Sequence, residues 1–392
     1  MKKLLLATAA AALAAGSASA EDVKIGILLG FTGPLESITP FMAQGAEMAI
    51  AEVNASGKSA NVYSSVRGDS TCVDAAAATA AAERLVTAEG VKAIMGADCS
   101  GVTGAVLQNV ARPNGIGMIS PSATSPGLST AEDDGLFFRT APSDARQGVV
   151  MTENIMDRGF KTVALTYTNN DYGKGLADSF QAAFEAAGGT VTISTPHEDN
   201  KADYSAEVGA LAAAGGEVLV VAGYTDKGGK GIIQASLDSG AFDTFVLPDG
   251  MVGQQIVDDL RAGLATSFGQ FPGTDSQGAE LFQQMASAAG FDGTSAFAPE
   301  SYDAAALIML AMAKSGSTDS KVWATAVFDV ANAPGEPIQP GELGKALELI
   351  AAGQDIDYVG ASAVELIGPG ESAGNYREVE FKDGKIVTVK FR

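Results

Sequence analysis

The sequence predicts an α/β protein with two doubly wound lobes, each built on a parallel sheet covered by helices. Short apolar runs alternate with longer helical patterns along most of the chain, as in parallel α/β folds. Two comparable series of these units follow one another without the fixed short period of a solenoid. The 392 residues also exceed the ~250–300 at which one hydrophobic core stops growing. Two domains are therefore expected.

The first twenty residues have the pattern of a secretory signal peptide. Lys2 and Lys3 precede an apolar run over residues 4–15, and Ala18-Ser19-Ala20 supplies the small residues of a cleavage site. A buried N-terminal helix is the alternative, but this order favours export to the periplasm with cleavage after Ala20. No later apolar run approaches the ~20 residues that a bilayer span needs.

The charge of the chain limits its partners. The formal charge is −22, and residues 1–20 carry two lysines and no acidic residue, so removing them gives −22 − 2 = −24. Nucleic acid and anionic lipid are poor partners for such a surface. We therefore expect no nucleic acid among its partners.

The first series of units contains three helices and four strands. Its strands are predicted at residues 23–30, 62–66, 93–95 and 117–119, and its helices at 41–54, 74–88 and 100–111. The second series has strands at 162–167, 191–194, 218–222 and 245–247, and helices at 172–187, 204–214 and 231–239. Both read as doubly wound sheets.

The last third of the chain is more helical and then returns to strands. Helices are predicted at 279–289, 302–314, 322–331 and 343–352, and strands at 364–366, 378–381 and 386–390. This order suggests that the chain crosses back to complete both lobes. We expect residues 21–141 plus 270–357 to form the first lobe, and residues 142–269 plus 358–392 to form the second.

The cysteine and histidine content argues against catalysis and metal binding. Cys72 and Cys99 are the only cysteines, and export favours a disulfide over two free buried thiols. The single histidine, His197, stands in a polar stretch and is expected to be solvated; a metal site would need more ligands. The nucleophile and phosphate-loop motifs GxSxG and GxxxxGK[ST] do not occur. We expect no enzyme, no cofactor and no metal.

Several segments together resemble the branched-chain amino-acid-binding proteins of ABC transporters. They are Gly30–Pro34, Gly96–Thr103, Ile119–Pro126, Asn170–Gly173, Gly223-Tyr224, Pro248–Gly250 and Ser301–Ala304. Each is weak alone, but their order and spacing are specific and cover essentially the whole mature chain. The resemblance implies the type I periplasmic-binding fold, with two Rossmann-like lobes joined by a three-strand hinge. It also implies a Cys72–Cys99 disulfide and an ABC permease as partner, which would be the only link to the membrane.

Hydroxyl side chains of the first lobe are candidates for binding a carboxylate. Ser100 and Thr103 stand where a strand ends and a helix starts, and Thr124 lies in the next such connection. Ligands collect at this edge of a parallel sheet, where helix N-termini favour anions. Simple N-capping by Ser100 and Thr124 is the alternative. The resemblance implies that these residues, with the backbone near Ser122, hold the α-carboxylate of an amino acid.

Three residues of the second lobe complete the candidate site. Asp249 in Pro-Asp-Gly has the form of a simple turn, but the resemblance implies an acid here, usually Glu, that accepts the ligand's α-ammonium. Tyr172 and Tyr224 match positions where relatives place aromatic rings around the ligand. Ordinary packing beside the sheet edge is the alternative for both tyrosines.

The loop over residues 33–40 departs from the resembling family. Several relatives carry an aromatic residue near Ile38, whereas this chain has none there and adds Glu36. Glu36 is either a solvated loop acid or a residue that favours a ligand with a further cationic or donor group. The preferred side chain therefore stays open among aliphatic, basic and other amino acids, amides and aromatic acids.

The sequence thus predicts a monomeric periplasmic solute-binding component of an ABC importer. It would bind an amino acid or similar zwitterion by lobe closure and deliver it to the permease. A ligand-sensing receptor or regulator subunit of the same fold is the first alternative. The second is a binder of a small acid or amide that is not an amino acid.

Overall fold

The computed structural model describes residues 21–392. The predicted signal peptide and its cleavage site at Ala20 lie outside the described residues. Within them, the strands form two seven-stranded sheets and one two-stranded sheet. No helix of this part of the chain combines the length and apolar character needed to cross a bilayer.

Sixteen strands and fourteen α-helices occur in the described part of the chain. The strands are β1 (Glu21–Leu29), β2 (Asn61–Asp69), β3 (Ala93–Gly96), β4 (Met118–Ser120), β5 (Phe137–Pro142), β6 (Thr162–Thr168), β7 (Thr190–His197), β8 (Val218–Ala222), β9 (Phe245–Leu247), β10 (Phe268–Pro272), β11 (Glu336–Ile338), β12 (Ile356–Tyr358), β13 (Leu366–Ile367), β14 (Glu371–Ser372), β15 (Tyr376–Lys382) and β16 (Lys385–Phe391). The helices are α1 (Thr39–Ser56), α2 (Ala75–Glu83), α3 (Ser100–Val106), α4 (Arg112–Asn114), α5 (Asp144–Asp157), α6 (Asp171–Ala186), α7 (Ser205–Ala214), α8 (Gly228–Ser239), α9 (Gln254–Leu260), α10 (Gln277–Ala289), α11 (Ala298–Ser315), α12 (Ser320–Trp323), α13 (Val327–Ala331) and α14 (Leu343–Ala351).

The two large sheets repeat one strand order. The first runs β2-β1-β3-β4-β5-β14-β13, and the second runs β7-β6-β8-β9-β10-β15-β16. The first five strands of each are parallel, whereas β15 pairs antiparallel with β10 and β13 antiparallel with β14. Two doubly wound α/β lobes are therefore confirmed. Ligands of such sheets gather at the carboxyl ends of the strands.

The chain passes between the lobes three times. β5 leads into α5 at residues 142–144, β10 leads into α10 at 272–277, and β14 leads into β15 at 372–376. The strands of residues 366–372 belong to the first sheet, although the sequence placed 358–392 in the second lobe. Each of these two strands has two residues, too few for a period. From sheet membership we propose lobes of 21–142 with 273–374, and 143–272 with 375–392.

Glycines allow the closest helix contacts in each lobe. In the first lobe α1 packs on α11, where a Cβ on Gly45 would lie 2.4 Å from the carbonyl oxygen of Ala298. In the second lobe α5 packs on α6, and a Cβ on Gly148 would lie 2.8 Å from backbone atoms of Ser179 and Phe180. A side chain at either glycine would push the helices apart.

His197 is buried, so the expectation of a solvated histidine is wrong. It ends β7 with 1% of its surface exposed, and its Nδ1 lies 2.9 Å from the Thr166 hydroxyl oxygen. Burial lowers the pKa of His197 from 6.5 to about 4, which keeps the ring neutral at physiological pH. Because its sequence neighbours are polar, the sequence did not predict that the His197 side chain is buried against Thr166.

Glu300, in the first turn of α11, is expected to make the free energy of unfolding depend on pH. Complete burial raises the pKa of its carboxyl from 4.5 to about 8, with a smaller contribution from nearby Asp303. The folded protein thus holds the proton more tightly than the unfolded chain. The stability from this group is fully present below about pH 4.5 and is lost as the pH rises through about 8.

The variant Glu300→Gln should remove most of this pH dependence. Between about pH 5 and about pH 8.5, the unfolding free energy of Glu300→Gln should fall by about 4 kcal/mol less than that of the unaltered protein. Urea unfolding at both pH values measures the difference, and the exposed Glu280→Gln is the control. Equal losses in all three proteins would contradict a buried, protonated Glu300.

Candidate ligand-binding cleft

Asp98 organises the carboxyl edge of the first sheet. Its carboxylate accepts hydrogen bonds from the Gly30 N–H at 2.8 Å and the Ser70 hydroxyl at 2.6 Å. These partners follow β1 and β2, and Asp98 itself follows β3. The disulfide between Cys72 and Cys99 joins the same loops, which confirms the predicted pairing. Three strand ends are thus held together beneath the cleft.

Ser100 does not cap its own helix. Cys99 occupies the N-cap position of α3 without a side-chain cap, while Ser100 Oγ accepts a hydrogen bond from the Ser125 N–H at 3.0 Å. Ser122 Oγ donates to the Asp98 carbonyl at 3.0 Å. Ser100 and Ser122 therefore fix the geometry of the loop between β4 and β5.

The two predicted threonines differ. Thr103 Oγ1 donates to the Cys99 carbonyl at 2.9 Å, one turn back in its own helix. Thr124 is fully buried, and its hydroxyl oxygen has no hydrogen-bond partner among residues 21–392. Because an unsatisfied buried hydroxyl is costly, Thr124 is the first-lobe side chain best placed to receive a ligand.

In the second lobe the predicted acid and tyrosines lie together. The Tyr172 hydroxyl donates to Asp249 Oδ1 at 2.5 Å, and the Gly250 N–H donates to the same oxygen at 2.9 Å. The rings of Tyr172 and Tyr224 stack with centroids 5.2 Å apart. Asn170 Nδ2 donates to the Tyr224 hydroxyl at 3.2 Å. The stacked rings and Asp249 thus form one wall.

Three polar residues of this cluster, Asp144, Gln147 and Tyr376, were not among the residues predicted from the sequence. Asp144 begins α5 directly after the first crossover, and its N–H donates to the Thr124 carbonyl at 2.8 Å. Both carboxylate oxygens of Asp144, both amide atoms of Gln147 and the Tyr376 hydroxyl are buried without a hydrogen-bond partner among the described residues. Their spacing was the available signal: Asp144 and Gln147 are three residues apart and so lie on one face of α5, and the structure buries this face.

Asp144 and Asp249 share one buried environment of negative charge. Burial and the neighbouring Asp249 charge raise the pKa of Asp144 well above its ordinary value, against the smaller lowering effects of the nearby Thr124 hydroxyl and the Arg139 charge. Burial also raises the pKa of Asp249, against the lowering effect of the hydrogen bonds from Tyr172 and Gly250. Burial and both carboxylates together raise the pKa of Tyr376 well above 10. The cluster therefore favours a cation or a proton.

Arg139 holds the loop that carries Thr124. One of its terminal nitrogens donates to the Ala123 carbonyl at 2.8 Å and to the Ser125 carbonyl at 2.9 Å. The other terminal nitrogen bonds Ser129 and the carboxylate of Glu371. Arg139 therefore stabilises the loop and forms its ion pair with Glu371, while its charge lowers the pKa of Asp144 only in part.

Glu36 lies apart from the buried cluster. It is exposed, and its carboxylate accepts a hydrogen bond from the Gly33 N–H at 3.4 Å. The neighbouring Ser37 N–H instead donates to Asp226 Oδ2 at 2.9 Å, and the Asp226 N–H donates to the Pro34 carbonyl at 3.1 Å. The loop thus contacts the second lobe through Asp226.

Two doubly wound lobes with three crossovers and a buried polar cluster at their facing edges define a two-lobed solute-binding protein. Residues 22–331 match the sequence profile of the family described as periplasmic binding protein. The Leu/Ile/Val-binding protein homolog 1 of Brucella abortus is 32% identical over 326 residues, which cover 81% of this chain and 85% of the relative. The chain belongs to the periplasmic binding protein family.

Further relatives agree with this assignment. The leucine-, isoleucine-, valine-, threonine-, and alanine-binding protein of Pseudomonas aeruginosa is 29% identical, over 83% of this chain and 87% of that protein. The crystal structure of LivJ from Streptococcus pneumoniae with isoleucine has a TM-score of 0.78 at 22% identity, covering 94% of this chain and 100% of LivJ. A solute-binding protein of Rhodopseudomonas palustris with 4-hydroxybenzoate has a TM-score of 0.75 at 18% identity, covering 95% and 97%. These two structures support the fold.

The variant Asp144→Asn should stabilise the ligand-free protein. It removes one of two neighbouring buried carboxylates and keeps the side-chain shape, so the unfolding free energy at about pH 8 should rise by about 1–2 kcal/mol. Thermal and urea unfolding measure the change, with the exposed Asp275→Asn as control. A loss of stability in Asp144→Asn alone would show that the charge of Asp144 is compensated in the folded protein.

Proposed function

We propose that this protein is the periplasmic component of an ABC importer and binds an amino acid between its lobes. The observation that carries the proposal is the pair of buried carboxylates, Asp144 and Asp249, which has no cation of the protein in an ion pair among residues 21–392. A ligand ammonium would neutralise this pair. The names of the Brucella and Pseudomonas relatives point to the same ligand class.

The ligand's two charged groups would bind on opposite sides of the cleft. The α-ammonium would lie near Asp249, Asp144 and Tyr172, and Thr124 with the loop around Ser122 would receive the α-carboxylate. Tyr172 and Tyr224 would cover the ligand from the second lobe. Binding both charges at once requires the lobes to be close, so a zwitterion favours the closed form.

A carboxylic acid without an amine suits this cluster less well. Benzoate-type ligands occur in structural relatives such as the 4-hydroxybenzoate complex. An anion alone would leave Asp144 and Asp249 without a cation and add a third negative charge nearby. Burying charge without a partner is costly. An amino compound is therefore the better candidate.

Lobe closure would involve the loop around Ser37 and the residue Asp226. Away from the crossovers, the hydrogen bonds between the lobes in the described residues are those joining Ser37 and Pro34 to Asp226. The three crossovers would serve as the hinge. We propose that a permease reads the closed, loaded form, that the protein acts as a monomer, and that the predicted signal peptide delivers it to the periplasm.

The amine requirement can be tested with matched ligands. Native mass spectrometry first identifies an amino acid retained by the purified protein, and calorimetry then compares it with its des-amino carboxylic acid. The amino acid should bind at least about tenfold more tightly, and Asp249→Asn should weaken its binding by about tenfold or more. Asp275→Asn should bind normally. Equal affinity for both ligands would refute the ammonium subsite.

Removing the carboxylate of Asp226 should favour the open form. In Asp226→Ala the Ser37 N–H loses its acceptor, so the radius of gyration of the ligand-free protein should increase and ligand affinity should fall several-fold. Small-angle scattering and calorimetry measure these quantities. Asp238→Ala, at an exposed position of α8, is the control. An unchanged radius and affinity would exclude a role of Asp226 in closure.

A further inference from the structure

Arg377, on β15, is a half-buried cation that forms no ion pair with any residue of 21–392. It lies directly opposite Phe271 on β10, and its guanidinium carbon is 5.3 Å from the centre of the Phe271 ring. Its Nε donates to the Thr388 hydroxyl oxygen at 2.6 Å. No carboxylate of residues 21–392 comes within ion-pair distance of its two terminal nitrogens. These nitrogens thus keep donors for another group.

Two other arginines, the buried Arg139 and the half-buried Arg158, differ from Arg377 in this respect. Arg139 pairs with Glu371, and Arg158 pairs with Glu378 at 2.6 Å. Burial lowers the pKa of Arg377 from its ordinary value, and the charge of Asp292 opposes this effect only in part. A cation that is partly removed from water without a paired acid is destabilising unless an anion joins it.

Arg377 faces a cavity between the two lobes. The cavity has a volume of about 560 Å³. Its apolar wall is formed by Ile38 and Phe41 of the first lobe and by Val252, Phe271 and Ile386 of the second, and this wall suits a methylene chain or ring. Its polar wall carries the charged side chains of Asp258, Asp292 and Lys385 beside Arg377. Arg377 also lines a smaller cavity of about 290 Å³.

The larger cavity adjoins the proposed ammonium subsite. Val252 and Gly253 follow Asp249 within four residues, and the Val252 N–H donates to the Asp249 carbonyl at 3.3 Å. A Cβ on Gly253 would lie 3.3 Å from the Ile38 side chain, so the lobes meet at this point. Val252 and Gly253 thus join the Asp249 loop to the wall of the cavity that Arg377 lines.

We propose that Arg377 is an anion-binding residue of this interlobe cavity and takes a carboxylate through its terminal nitrogens. The inference rests on the proposed function. It adds one carboxylate to the α-ammonium and α-carboxylate that the cleft is proposed to bind. One source is the side-chain carboxylate of an acidic amino acid held at Asp249 and Thr124. The other is a separate small carboxylate that binds beside a neutral amino acid. Guanidinium geometry matches a carboxylate in either case.

The experiment compares glutamate with glutamine by calorimetry on the full mature protein. The two ligands have the same shape, and only glutamate has the side-chain charge. With a side-chain source, glutamate should bind at least about tenfold more tightly than glutamine, as expected for a charged hydrogen-bonded pair. The preference should vanish in Arg377→Gln and persist in Arg261→Gln, an exposed arginine that serves as control.

A second arm distinguishes a separate anion. Acetate is titrated in the presence of saturating glutamine and, independently, by thermal shift without any amino acid. Acetate binding that disappears in Arg377→Gln supports the site with a separate source. Absence of both the glutamate preference and Arg377-dependent acetate binding overturns the inference, whatever the protein's affinity for neutral amino acids. Failure to bind any amino acid refutes the proposed function, while the acetate arm still decides the role of Arg377.

The proposal for Arg377 stays testable even if Arg377→Gln does not fold. The glutamate-to-glutamine ratio of the unaltered protein is measured without any variant, and a ratio near one with no acetate binding already overturns the proposal. Arg377→Lys keeps the charge and loses the fork geometry, so it should retain part of the preference. A full preference in a folded Arg377→Gln protein would likewise overturn the assignment.

Discussion

Two carboxylates, Asp144 and Asp249, are buried at the facing edges of the lobes, and neither forms an ion pair with a cation of residues 21–392. Burial of like charges opposes folding, so the rest of the molecule must hold them in place. The Tyr172 hydroxyl and the Gly250 N–H direct Asp249, and the start of α5 directs Asp144. A site that is unfavourable when empty gains the most from a ligand of opposite charge.

In the first lobe, the loops at the carboxyl edge of the sheet are cross-linked to one another. Asp98 and the Cys72–Cys99 disulfide join the loops after β1, β2 and β3. Arg139 fixes the carbonyls on both sides of Thr124 and reaches Glu371 on β14, next to the third crossover. The loop that would face the ligand is therefore attached to the segment about which the lobes would turn.

Most of the fold followed from the alternation of apolar runs and helical patterns, because parallel strands buried on both faces leave a clear signal. The strand predicted at 364–366 overlaps β13, but strands of two residues carry no period that assigns them to a sheet, and residues 366–372 belong to the first sheet. At the site, Thr124 and Asp249 were predicted because each follows a strand of a parallel sheet. Asp144 was not predicted, because its role depends on burial at a crossover between the lobes. The burial of His197 likewise depends on which face of β7 the side chain takes.

Three parallel connections between the lobes limit how the lobes can move. A single linker would allow them to twist and slide, whereas three neighbouring chain segments at 142–144, 272–277 and 372–376 leave chiefly one rotation. A molecule with one mechanical degree of freedom presents few intermediate shapes. Any membrane protein that contacts both lobes at once can then distinguish loaded from empty carriers by the distance between two surfaces, without touching the cargo.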